Sequence, residues 1–90
     1  MTSVFDIPLV DVVEVKPLED YRLLVVFEDG KRGIFDMSPY LDWEVFKPLR
    51  DRSLFRAARI SYGTVAWPGE IDIAPERLYT DMVPLEEPRS

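Results

Sequence analysis

Apolar and polar positions are patterned most clearly over residues 21–35. There Leu23-Leu24-Val25-Val26-Phe27 runs into Glu28-Asp29-Gly30-Lys31 and returns through Arg32-Gly33-Ile34-Phe35. The stretch reads as a β-hairpin around which the rest of the chain is organised. Asp29-Gly30 fits the two-residue type I′ loop, which needs positive φ at both central positions and matches the twist of the flanking strands. Counting outward from that loop sets Glu28 against Lys31, Phe27 against Arg32, Val26 against Gly33, Val25 against Ile34 and Leu24 against Phe35. One face then carries Tyr21, Leu23, Val25, Phe27 and Ile34. The other carries Leu24, Val26 and Phe35 beside Arg22 and the Glu28/Lys31 pair, so both faces expect partial cover.

Upstream, residues 10–16 alternate imperfectly, with Val13 and Val15 on one side and Val12, Glu14 and Lys16 on the other. They read as a half-buried strand that Pro17 ends. Leu18-Glu19-Asp20 turns into the hairpin, which completes a three-stranded antiparallel meander, and residues 1–9 read as an irregular lead-in. After Phe35, Ser38 supplies a capping hydroxyl before Pro39 at a first helical position. Pro48 disfavours helix at Lys47, so two or three short helices are expected in place of one long one, the last capped by Asp51 with Leu54, Phe55 and Ala58 inward. Residues 59–62 and 64–67 flank Gly63 as a second hairpin, and Pro68-Gly69 stops it. Ile71 and Ile73 then point inward while Glu70 and Asp72 face water. Pro75 and Glu76 open a short C-terminal helix through Tyr79. The order predicts an α+β fold: three-stranded antiparallel meander, short helices, second β-hairpin, short C-terminal helix. Residues 1–80 form one domain in this reading, and 81–90, with Pro84, Glu86, Glu87 and Pro88, form a flexible acidic tail.

Composition narrows the chemistry. At 90 residues, 47% apolar and 31% charged, the chain is long enough for one core, which buries roughly 60–65% of the unfolded surface. Histidine and cysteine are absent, so disulfides, thiol chemistry, the usual zinc sites and the commonest general acid–base residue are excluded. No run approaches the ~20 apolar residues of a membrane span, and Met1-Thr2-Ser3-Val4-Phe5-Asp6 lacks the basic and apolar regions of a signal peptide. A cytoplasmic protein without membrane contact is expected. The net charge of −6 opposes a phosphate backbone and suits a basic protein partner.

The ordered motifs Val15-Lys16-Pro17-Leu18-Glu19-Asp20-Tyr21-Arg22-Leu23, Phe27-Glu28-Asp29-Gly30, Ile34-Phe35-Asp36, Phe46-Lys47-Pro48-Leu49-Arg50-Asp51, Val65-Ala66-Trp67-Pro68 and Leu78-Tyr79 add a second kind of information. From about Val12 to Tyr79 they resemble a family of small bacterial proteins, the domain of unknown function 2442. That resemblance implies a compact α+β domain with no assigned activity and no catalytic residues to carry over. It also implies a neighbouring gene for a second small protein, an arrangement like that of toxin–antitoxin pairs. Ala74 departs from the family pattern, in which many members place a polar capping residue there.

Three groups of residues are candidates for function. Asp36, Asp42, Glu70 and Asp72 are the carboxylates available for acid–base work or a hard cation, but Asp36 and Asp42 read as caps and Glu70 and Asp72 as a solvated face. Neither an enzyme nor a cofactor is therefore expected. Lys47, Arg50, Arg52, Arg56 and Arg59 form the one basic concentration, read first as a solvated face paired with nearby acids. Of the two tryptophans, Trp67 ends a strand and reads as core, whereas Trp43, between Asp42 and Glu44, reads with Tyr40 as an exposed partner-binding anchor. The leading expectation is a protein-binding module, the acidic neutralising member of a two-gene pair, with a sheet edge available for strand addition. The alternative is an accessory nucleic-acid-binding domain using the basic patch. Self-association is left open.

Overall fold

In a computed structural model the fold is described for residues 10–85. Strands β1 (Val12–Pro17), β2 (Arg22–Phe27) and β3 (Arg32–Asp36) form the expected antiparallel meander. Short helical turns follow at Ser38–Tyr40 and Glu44–Arg50, then helix α1 (Arg52–Phe55). Strands β4 (Arg59–Ser61), β5 (Thr64–Trp67) and β6 (Ile71–Ile73) make a second antiparallel sheet. Helix α2 (Pro75–Asp81) and a two-residue strand β7 (Val83–Pro84) complete the fold. β7 returns to the first sheet, whose order is β1-β2-β3-β7. The architecture is α+β, and the side chains of both sheets, the helical segment and α2 meet in one core. No helix among the described residues is long and apolar enough to cross a membrane.

The central hairpin differs from the sequence reading by one residue. Leu24 faces Ile34, Val25 faces Gly33 and Val26 faces Arg32, so the loop is the three residues Glu28-Asp29-Gly30. Phe27 N–H donates to the Lys31 carbonyl at 2.8 Å, Gly30 N–H donates to the Phe27 carbonyl at 2.9 Å, and Gly30 sits at φ 92°. This is a turn closed by a left-handed glycine bulge. A one-residue slip reverses every side chain of the returning strand. It takes Arg32 off the side of Leu23, Val25 and Phe27, puts Phe35 there at 1% exposure, and moves Ile34 to the opposite face. Asp29 favours the longer loop, because its carboxylate accepts the Lys31 N–H at 2.9 Å and the Tyr79 hydroxyl at 2.7 Å.

The positive-φ pair expected at Asp29-Gly30 occurs instead at Tyr62 (φ 52°) and Gly63 (φ 78°), the two-residue loop joining β4 to β5. Gly63 is constrained twice: a Cβ there would lie 2.5 Å from an Asp11 carboxylate oxygen, and its carbonyl accepts the Val12 N–H at 2.9 Å. This contact brings the tip of the second hairpin to β1. A bulge between Val12 and Glu14 accounts for the imperfect alternation of β1, so that Val12 is buried and Val15 half-buried while Val13 is 55% exposed.

Two further expectations are corrected at chain turns. Ser38 lies inside its helical turn, and Asp36 does the capping: its Oδ1 accepts the Ser38 N–H at 2.9 Å and the Ser38 hydroxyl at 2.7 Å. Residues 81–85, assigned to a tail, belong to the fold: Met82 is buried, β7 pairs with β3, and Leu85 N–H donates to the Arg32 carbonyl at 3.0 Å. The remainder of that tail and the lead-in 1–9 lie outside the described residues. Other local readings match. Asp51 caps α1 by accepting the Ser53 N–H at 2.9 Å, Ile71 and Ile73 are buried while Glu70 and Asp72 are exposed, and Ala74 opens α2 without a side-chain cap.

Tyr79 ties α2 to the central hairpin loop, with its ring edge-on to Phe27 at 4.9 Å and Lys31 Nζ 4.7 Å above it. The Asp29 carboxyl is held below its ordinary value of 3.8 by the Lys31 N–H first and the Tyr79 hydroxyl second. The Tyr79 phenol is pushed above 10.0, chiefly because it donates to Asp29. A carboxyl depressed in the folded state contributes stability above its unfolded value and loses it as pH falls; a phenol raised in the folded state contributes below its unfolded value and loses it as pH rises. The link is therefore intact between about pH 4 and pH 10. Tyr79→Phe should lower the melting temperature at pH 7, and the gap to wild type should narrow when both are melted near pH 3. An equal gap at both pH values would show that the hydrogen bond is not its source.

Candidate functional site

Tyr40, Trp43 and Phe46 are brought together by repeated i,i+3 backbone bonds. Trp43 N–H donates to the Tyr40 carbonyl at 3.0 Å and Phe46 N–H to the Trp43 carbonyl at 2.9 Å. Three-residue periodicity eclipses side chains on one side of the chain. The Trp43 ring stands edge-on to Tyr40 at 5.0 Å and 6.1 Å from Phe46, while Tyr40 stacks on Phe35 at 5.5 Å. Phe35 and Phe46 are buried and Tyr40 is half-buried, but Trp43 remains 46% exposed with Val45 exposed beside it. A line of aromatic rings thus runs from the core to the surface and ends on Trp43.

Helix α2 supplies the polar half of this surface. The Tyr40 hydroxyl donates to Asp81 Oδ2 at 3.1 Å, and Arg77 Nη1 lies 3.7 Å from the same oxygen. The Arg77 guanidinium carbon lies 5.7 Å from the Tyr40 ring centre and 5.6 Å from that of Trp43, within cation–π range of both. The sequence reading missed Arg77 and Asp81. They show the i,i+4 spacing of a helical ion pair, but nothing local says which surface α2 meets.

The basic residues do not act as one cluster. Lys47 Nζ lies 3.7 Å from Glu44, and Arg50 is bound to Asp42 at 2.5 Å and to the Leu41 carbonyl at 3.1 Å. Arg52 and Arg56 line a cleft with Leu18, Glu19, Asp20, Tyr21 and Phe55, and Arg59 stands exposed on β4. Of the four candidate carboxylates, Asp36 caps a turn, Asp42 pairs with Arg50, Glu70 sits in a turn at φ 62° and Asp72 faces outward from β6. Among the described residues no group of three or more acids is placed to hold a metal ion. Trp67 is fully buried, as its strand-end position predicts, and its indole N–H donates to the Phe55 carbonyl at 2.9 Å.

The class these features define is a small α+β domain of two antiparallel sheets carrying a surface aromatic cluster. More particularly, the chain belongs to the family described as protein of unknown function (DUF2442), whose model matches residues 12–83. No curated protein and no solved structure matches it.

Proposed function

We propose that the chain is a non-enzymatic protein-binding module that docks a basic partner on Trp43 and Tyr40, as the acidic, neutralising member of a two-gene pair. The carrying observation is the half-exposed indole of Trp43, fixed by Tyr40 and Phe46. A large ring held by its neighbours covers partner surface at little entropic cost, which is why tryptophan and tyrosine dominate binding hot spots. The net charge of −6 supports a basic partner, and the absence of histidine and cysteine supports a non-catalytic role. An accessory nucleic-acid-binding role has its own support, because Arg52, Arg56 and Arg59 are exposed and make no salt bridge within 10–85.

The test is titration of the purified chain against the product of its neighbouring gene, and separately against mixed-sequence DNA and RNA, at low and physiological salt. Association with the neighbour should weaken about tenfold or more in Trp43→Ala, a loss of roughly 1.4 kcal/mol or above, and should not weaken on joint alanine replacement of Arg52, Arg56 and Arg59. Nucleic-acid binding that persists at physiological salt and vanishes in the triple arginine variant would replace this reading with the alternative.

A further inference from the structure

Trp43 and Tyr40 already hold a guanidinium. Arg77 reaches over both rings from α2, and the carboxylate that accepts the Tyr40 hydroxyl also neutralises Arg77. Little else fixes it there. The Arg77–Asp81 pair is an i,i+4 contact at 3.7 Å between side chains that are each 45% exposed, a geometry that solvent screens. Arg77 and Asp81 also border a second surface depression with Ala74, Glu76 and Thr80, so the position opens to solvent on the α2 side. The two rings and Asp81 together form a seat matched to a planar cation, occupied from within by a weakly held residue.

We infer that Arg77 is a placeholder and that the seat takes an arginine side chain of the basic partner, a deepening that rests on the docking reading above. Exchange of one guanidinium for another conserves the ring contacts and the charge on Asp81. Arginine is favoured over lysine because its flat, weakly hydrated group lies against ring faces, whereas an ammonium retains water. Arg77 therefore acts as an internal competitor. It shields the indole in the free protein and lowers the apparent affinity by the fraction of time the seat is filled. Net charge −6 draws the cationic segment in, and the seat distinguishes which cation binds.

The test uses the full chain with two defined probes, a nona-arginine and a nona-lysine peptide, titrated calorimetrically at physiological salt. Wild type should bind nona-arginine about threefold or more tightly than nona-lysine, and Trp43→Ala should remove that preference. Arg77→Gln keeps a helix-forming residue of similar stem and removes the competing charge; it should tighten nona-arginine binding by about threefold or more. Arg56→Gln makes the same change in net charge away from the rings and should tighten binding distinctly less. Equal tightening by both glutamine variants would assign the effect to bulk charge and overturn the placeholder. Weakened binding in Arg77→Gln would also overturn it, by showing that Arg77 organises the rings. In either case retained sensitivity to Trp43→Ala leaves the docking reading standing. Insensitivity to Trp43→Ala removes the docking reading and the placeholder with it. Far-ultraviolet circular dichroism and melting curves establish that each variant is folded before titration.

Discussion

Trp67→Ala should lower the melting temperature by about 15 °C or more, the largest effect expected of any single truncation in the core. The indole has 0% exposure, lies 6.2 Å from the Phe55 ring with the planes 28° apart, and donates to the Phe55 carbonyl. Truncating a buried tryptophan costs about 3–5 kcal/mol through lost transfer energy and residual cavity. A domain of this size has only roughly 5–13 kcal/mol in total, and each kcal/mol moves its melting temperature by about 4–8 °C. Trp67→Phe separates the contributions. It keeps a ring against Phe55 and removes the indole donor, but Ala58 N–H still donates to the same carbonyl at 3.3 Å, so that acceptor is not orphaned. The phenylalanine variant should therefore lose only about 1–2 kcal/mol. Thermal melts followed by circular dichroism measure both. A Trp67→Ala melt within a few degrees of wild type would mean that this residue does not join the helical segment to the second sheet.

How far such relations were legible in the sequence depends on the range over which each is decided. Element type and order follow from local signals. Pro17 ends β1, Asp51 caps α1 because its carboxylate reaches a backbone donor two residues on, and the alternation of Ile71, Asp72 and Ile73 gives burial directly; Pro48, by contrast, is taken up inside the Glu44–Arg50 turn. The hairpin register does not follow from Asp29-Gly30 alone. The dipeptide suits both a two-residue loop and a three-residue loop with a glycine bulge, and the choice falls to Tyr79, fifty positions along the chain, and to the need to bury Phe35. The aromatic surface around Trp43 divides in the same way. Trp43 is legible as exposed because acids flank it and the short helical turns around it are signalled locally. Arg77 and Asp81 reach it only through the packing of α2, which no periodicity encodes. The family match adds the identity of the domain and leaves its chemistry to the residues themselves.

The C-terminal strand shows the same division and yields the second large effect. Gly33→Ala should destabilise the domain by about 2–3 kcal/mol and free residues 82–85 from the sheet. Glycine at this position is required by proximity. A Cβ on residue 33 would stand 2.6 Å from the Val83 carbonyl oxygen and 2.8 and 2.9 Å from Met82 Sδ and Cγ. Met82 is buried, and the Val83 carbonyl belongs to the β7 backbone that pairs with β3 at Gly33 and Ile34. Steric relief therefore requires β7 to leave the sheet, not a rotamer change. Departure exposes Met82 and breaks the bond from Leu85 N–H to the Arg32 carbonyl. Hydrogen exchange distinguishes this route from general loosening. In Gly33→Ala the Leu85 amide should exchange at nearly the unprotected rate, while amides that bond β5 to β6 should slow or speed only with the global stability. Truncation after residue 81 should reproduce most of the stability loss, since it removes the same buried methionine and the same strand. If the alanine variant kept Leu85 protected and melted like wild type, the close approach at Gly33 would be relieved with β7 still in the sheet, and the expulsion of β7 would be wrong.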